Sequence, residues 1–135
     1  RLRDRQHAVY ANCAKVNNIT VNELFVLDVL WFAKDGITQT EIIERLSANK
    51  QTISAVITRF LKSGYIMLVE KDSDRRNKVI RFTEKGKNYA EKIIPPAADA
   101  ENMAMADLSE EEMKELVRLT IKFTENMEKR FGDIK

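Results

Sequence analysis

The sequence predicts a mainly α-helical protein with one small β-hairpin, an α+β fold, and three observations predict it. First, Thr20, Thr38 and Ser109 are each followed three places on by a glutamate (Glu23, Glu41, Glu112), the pairing that starts a helix by satisfying its open amides. Second, Ile53, Val56, Ile57, Phe60 and Leu61 recur at helical spacing, the stripe of a helix with one buried face. Third, a polar run of Asp72, Ser73, Asp74, Arg75, Arg76, Asn77 and Lys78 separates two apolar stretches, residues 65–69 and 79–82. These stretches have strand-like length and composition, so they pair as a hairpin.

Each element follows in order. Residues 21–34 are apolar nearly all round, through Leu24, Phe25, Val26, Leu27, Val29, Leu30, Trp31 and Phe32, as a central buried helix requires, with Trp31 in the core. Asp35 and Gly36 end it. A short helix over 39–46 turns Ile42, Ile43 and Leu46 inward, and after a polar break Asn49 caps the next helix. Beyond the hairpin, residues 84–107 form a helix bent at Pro95 and Pro96. Residues 110–131 form another, with Met113, Leu116, Val117, Thr120, Ile121 and residues 123–127 at its apolar positions.

The 135 residues suit a single domain. Net charge is only +2, but residues 47–96 hold eleven Lys and Arg against five acids, and residues 97–135 hold six against ten. A basic middle suits phosphates, and the acidic tail is kept away from them. The single cysteine excludes an internal disulfide framework and a multi-cysteine metal site, which makes a reducing cytoplasm the expected compartment. No apolar run approaches the roughly eighteen residues needed to cross a bilayer. The chain begins at Arg1 without methionine, so a trimmed soluble protein lacking its first few residues is expected.

A short helix, a turn and a second helix form the arrangement whose second member lies in a DNA major groove. With the apolar stripe of residues 53–61 inward, Lys50, Gln51, Thr52, Ser54 and Thr58 project outward. Residues 47–69 contain Lys50, Arg59 and Lys62 but no acid, whereas an ordinary solvated helix usually carries some. Gln and Lys read adenine and guanine edges, Thr and Ser read either, and the Ala55 methyl meets a thymine methyl. Asn49 completes this recognition set. Arg59 belongs to it too, further along, and like Lys62 it binds phosphates, as do Thr38 and Gln39. The arginine-tipped hairpin is a wing: Asp74, Arg75, Arg76, Asn77 and Lys78 are placed for the minor groove, whose negative channel attracts guanidinium groups.

Over nearly its whole length the sequence resembles the MarR-type winged-helix transcriptional regulators. The resemblance rests on residues 49–64 as recognition helix and glycine stop, on Asp72 to Arg76, on Phe82, Thr83, Glu84, Lys85 and Gly86, on the proline-containing helix, and on Leu108 to Glu112. It implies that Asp74 braces Arg76, the arginine reaching the minor groove. The proline often found ahead of that aspartate is absent, and Phe82 stands where leucine is usual; both bear on wing shape. The resemblance also implies a winged-helix lobe over residues 20–87 and dimerisation helices over 1–18 and 88–135. Ile93, Ile94, Met103, Met105 and Leu108, expected on one exposed side, favour burial against a second copy. A two-fold dimer reads a palindromic operator.

A crevice for a small aromatic effector is implied as well, and His7, Tyr10 and Trp31 are its candidate lining. Cys13 lies only seven residues before Thr20, too near for the N-terminal thiol of the family's peroxide sensors. Catalysis is not expected: there is one histidine, no glycine-rich phosphate loop and no hydrolase or metalloprotease motif. No cofactor, metal or membrane partner is expected. The competing reading is a winged helix that binds protein rather than DNA, but that role does not call for Arg75 and Arg76 beside an acid-free helix face.

Overall fold

The computed structural model describes residues 1–71 and 74–135, and of residues 74–77 the backbone only. The order is α1 (Leu2–Val16), α2 (Val21–Phe32), α3 (Gln39–Leu46), α4 (Lys50–Lys62), β1 (Ile66–Lys71), β2 (Asp74–Phe82), α5 (Glu84–Glu91), α6 (Ile94–Ala106) and α7 (Glu110–Gly132). The chain divides into two compact units, Arg1–Ala97 and Ala98–Lys135.

In the first unit the core gathers around α2. Val26, Leu27, Ile42, Ile53, Val56, Phe60 and Ile80 are buried together, with Ile37, Ile93 and Ile94. The expected starts are present: Thr20, Thr38 and Ser109 each accept from the amide three residues on, while the glutamate there accepts from the cap's own amide. Asn49 caps α4 through Oδ1, which accepts from the Gln51 amide at 2.8 Å and the Thr52 amide at 3.3 Å.

Four expectations are corrected. The helix expected over 84–107 is two helices, and the break falls at residues 92–93, ahead of the prolines. Pro95 and Pro96 sit in the first turn of α6, where their missing amide donors are not needed. Ile93 and Ile94 are buried in the first unit's core rather than exposed, because this break turns them inward. Phe32, at the last turn of α2, is 60% exposed, and Leu61, at the edge of the α4 stripe, is 38% exposed. Trp31 is half-buried rather than enclosed, tilted against Phe82 with ring centroids 6.5 Å apart.

The hairpin pairs β1 and β2 antiparallel, with Ile66 opposite Phe82, Leu68 opposite Ile80 and Glu70 opposite Lys78. The loop before α3 binds to the same hairpin. Ile37 and Ile80 exchange amide bonds at 3.2 and 2.8 Å, and Arg81 Nε donates to the Asp35 carbonyl at 3.1 Å. The wing is thus fastened to the helix pair by backbone bonds rather than by side-chain packing alone.

The far end of α4 is fastened too. The chain leaves it through Gly64, at φ +77°. Thr83 Oγ1 donates to the Gly64 carbonyl at 2.5 Å, and Lys85 Nζ donates to the Ser63 carbonyl at 2.9 Å while lying 5.3 Å above the Tyr65 ring. Tyr65 stacks on Tyr89 at 4.1 Å with the rings 5° from parallel. Gly86 lets α5 approach this closely: a Cβ there would fall 1.7 Å from the Tyr65 carbonyl oxygen. Burial raises the Tyr89 phenol above its ordinary pKa, with Tyr65 and Glu23 adding to the effect.

In the second unit, α7 buries none of its residues within the chain. Among the described residues, no helix is long and apolar enough to cross a membrane.

Candidate nucleic-acid interface

The outward side of α4 is built by helical arithmetic. Gln51, Ala55, Thr58, Arg59 and Lys62 fall at i, i+4, i+7, i+8 and i+11, one side of a helix, and all are exposed. The opposite side carries buried Ile53, Val56, Ile57 and Phe60, so rotation of the helix about its axis is fixed by the core. Lys50 is exposed at the helix start, and Thr52 and Ser54 are half-buried. The Asn49 side-chain oxygen is occupied by its two capping bonds, which leaves its amide nitrogen for an outside acceptor.

The three expected phosphate contacts have different surroundings. Lys62 is exposed. The Thr38 hydroxyl serves the capping box, accepting from the Glu41 amide at 3.2 Å and donating to Glu41 Oε1 at 2.9 Å. The hydroxyl's donation, joined by the Thr38 amide at 3.4 Å to the same oxygen, holds the Glu41 carboxyl below its ordinary pKa. Gln39 turns toward α4, where its Nε2 donates to Ser54 Oγ at 2.8 Å.

Sequence reasoning missed two partners of this face. Gln39 and Ser54 lie fifteen residues apart, and Glu23 approaches Arg59 to 3.9 Å from the start of α2. Neither pair leaves a periodic signal, because each depends on the crossing of two helices. In the wing, Lys78 is exposed on β2. The side chains of Asp74, Arg75, Arg76 and Asn77 lie outside the described residues.

The three candidate effector residues make separate contacts. His7 is exposed on α1, Tyr10 meets Phe25 edge to face at 5.5 Å, and Trp31 meets Phe82. A shallow groove on α1 is lined by Leu2, Arg5, Gln6 and Val9 and includes none of the three. Among the described residues, no group of His, Cys, Asp and Glu could hold a metal ion.

A capped helix pair whose second member presents an acid-free side, followed by a two-stranded hairpin fastened to the pair, defines a winged helix-turn-helix protein. Residues 19–78 match the MarR family model. A relative from Bacillus cereus, described as an uncharacterized HTH-type transcriptional regulator, is 33% identical over 95 residues, which cover 70% of this chain and 63% of the relative. The match thus spans somewhat under two thirds of that relative's length. A MarR family regulator from Neisseria meningitidis superposes with a TM-score of 0.83 at 26% identity, covering 98% of this chain and 92% of that one. The S. aureus MepR–DNA complex gives a TM-score of 0.75 at 23% identity, covering 93% and 94%. Residues 19–78 thus match the MarR family, and nearly the whole chain shares the fold of a regulator of that family.

Proposed function

We propose that this chain is a transcriptional repressor that binds a palindromic DNA operator as a homodimer. The observation that carries the reading is the outward side of α4, which is exposed, basic, acid-free and held at both ends. On this reading Asn49, Lys50, Gln51, Thr52, Ser54, Ala55 and Thr58 face base edges, Arg59 and Lys62 face phosphates, and Asp74, Arg75, Arg76, Asn77 and Lys78 form the minor-groove wing. Thr38 stands at the α3 start, where helix amides favour a phosphate. The S. aureus protein of the same fold was solved with DNA, which supports the placement.

The dimer reading rests on apolar surface that the chain leaves uncovered. Leu2, Val9 and Val16 on α1 are exposed, as are Leu116, Val117, Phe123 and Phe131 on α7. A second copy is the simplest cover, and its two-fold axis sets two copies of α4 one DNA turn apart. A small aromatic effector near His7, Tyr10 and Trp31 would act on that spacing; quenching of Trp31 fluorescence by a phenolic library checks it.

Selection of binding sites from a random duplex library, followed by fluorescence anisotropy across a salt series, tests the proposal. The expected result is a palindromic motif bound far more tightly than a scrambled duplex, with a steep salt slope. Weak and equal binding to both would instead favour a winged helix that binds protein.

A further inference from the structure

We infer that Gln39 is a positioning residue that frees the Ser54 hydroxyl proton for donation to a base edge. The inference rests on the proposed placement of α4 in the major groove. It departs from a phosphate role for Gln39.

Gln39 is the first residue of α3 and Ser54 the fifth of α4. Both are half-buried, so the 2.8 Å bond from Gln39 Nε2 to Ser54 Oγ forms at the seam between the helices rather than in open solvent. A serine hydroxyl has one proton and two lone pairs. The Gln39 amide fills one lone pair, and the proton therefore points elsewhere. Among the described residues nothing else accepts it: Ser54 has no bond back to the Lys50 carbonyl one turn earlier, the usual sink for a helical serine. Ser54 lies one turn from both Gln51 and Thr58, at the border of the outward side. Donation by the amide also polarises the hydroxyl and strengthens it as a donor. The partner that suits it is an acceptor on the major-groove edge, such as a purine N7, guanine O6 or thymine O4.

The polarity is reversible by design. Gln39→Glu presents only acceptors to Ser54, so the hydroxyl proton turns inward and only lone pairs face the DNA. Gln39→Ala removes the restraint altogether.

The test compares wild type, Gln39→Ala, Gln39→Glu, Ser54→Ala and the double variant Gln39→Ala/Ser54→Ala, each by library selection and by anisotropy on the wild-type motif. The expected result is that Ser54→Ala and Gln39→Ala each lose about tenfold discrimination at the same base step, and that the double variant loses no more than Ser54→Ala alone. Gln39→Glu is expected to change the preferred base at that step. Where the acceptor is a purine N7, replacing that purine by its 7-deaza analogue should cost wild type about tenfold and Ser54→Ala almost nothing.

A phosphate contact or a purely structural bond gives a different pattern. Gln39→Ala would then weaken binding to every duplex alike, leave the motif unchanged and add to the Ser54→Ala effect, and that result would overturn the inference alone. A wild type that selects no motif would overturn it together with the DNA-binding reading. Melting temperatures of the variants separate loss of folding from loss of reading.

Discussion

Glu23 Oε2 lies 3.9 Å from Arg59 Nε, so the carboxylate that caps α2 also reaches the outward side of α4. Its other oxygen accepts from the Thr20 amide at 3.1 Å. Arg59 is 52% exposed, and an ion pair that open contributes about 0–1 kcal/mol to folding. Its consequence is for binding: a phosphate must compete with a carboxylate already beside the guanidinium. Glu23→Gln keeps the capping geometry, since glutamine serves the same box, and removes only the charge. We expect it to tighten binding to any duplex a few-fold at low salt, with the gain shrinking as salt screens the pair. Anisotropy over a salt series measures this; weaker or unchanged binding would show that Glu23 does not compete.

Exposed residues on one helix side are expected to divide by role. Gln51→Ala should relax discrimination at one or two base positions by about 1–3 kcal/mol, while Lys62→Ala should weaken all duplexes alike and lower the salt slope by about one. Arg76→Ala in the wing should cost roughly 1–3 kcal/mol of binding and leave the melting temperature unchanged. Site selection beside thermal denaturation reads all three, and an unchanged motif for Gln51→Ala would remove it from the base-reading set.

The capping box of α3 carries a pH signature. Glu41 has its carboxyl pKa lowered in the folded protein, chiefly by the Thr38 hydroxyl. A lowered folded pKa means that the contribution is present above the ordinary carboxylate range and is lost as pH falls through that range and below it. Thr38→Ala should therefore cost about 1 kcal/mol near neutral pH, with a smaller difference from wild type in acid. Urea denaturation at several pH values tests the sign; a cost that grows toward acid would contradict it.

Gly86→Ala probes the junction at the end of α4. The added methyl would meet the Tyr65 backbone carbonyl at 1.7 Å, and backbone yields less readily than a side chain. Destabilisation on the order of 3 kcal/mol is expected, together with loss of the Tyr65–Tyr89 stack, read as a change in near-ultraviolet circular dichroism. Full stability would mean that α5 moves away without cost.

What the sequence disclosed was local chemistry. Thr20, Thr38, Ser109 and Asn49 begin helices through atoms within three residues, so spacing alone revealed them. The hairpin showed itself in the same way, through apolar residues on either side of a polar turn. Thr83 caps α5 through the Gly86 amide at 3.0 Å, but with glycine at the third helical position it lacks the glutamate signature. The break at residues 92–93 escaped because a proline pair was read as a bend, although prolines are as well suited to beginning a helix. Phe32 belongs to a helix that is apolar nearly all round and Leu61 to a periodic stripe, and neither pattern shows where the cover ends. The pairs Gln39–Ser54 and Glu23–Arg59 join helices, and their distances follow from packing rather than from pattern.

The long helix α7 supplies the last prediction. Met113, Val117, Thr120, Thr124, Met127 and Phe131 follow spacings of four and three, a seam along one side of the helix. Thr124 Oγ1 donates to the Thr120 carbonyl at 2.7 Å, so its proton is satisfied within the helix and does not oppose burial. The ion pair Arg118–Glu115 stands away from the seam, and Lys114–Glu110 lies at its N-terminal end. Yet Val117 and Phe131 are more than half exposed, as is Phe123 on the seam's flank. Burying side chains of this size contributes about 1.5–3 kcal/mol each, and several per copy offset an association cost of about 4–15 kcal/mol. Val117→Glu combined with Met127→Glu places carboxylates in the seam and should yield a monomer that keeps its helical circular dichroism and binds the selected duplex at least tenfold more weakly. Sedimentation at micromolar concentration decides: a wild type that is already monomeric, or a double variant that remains dimeric, would show that this seam does not join two copies.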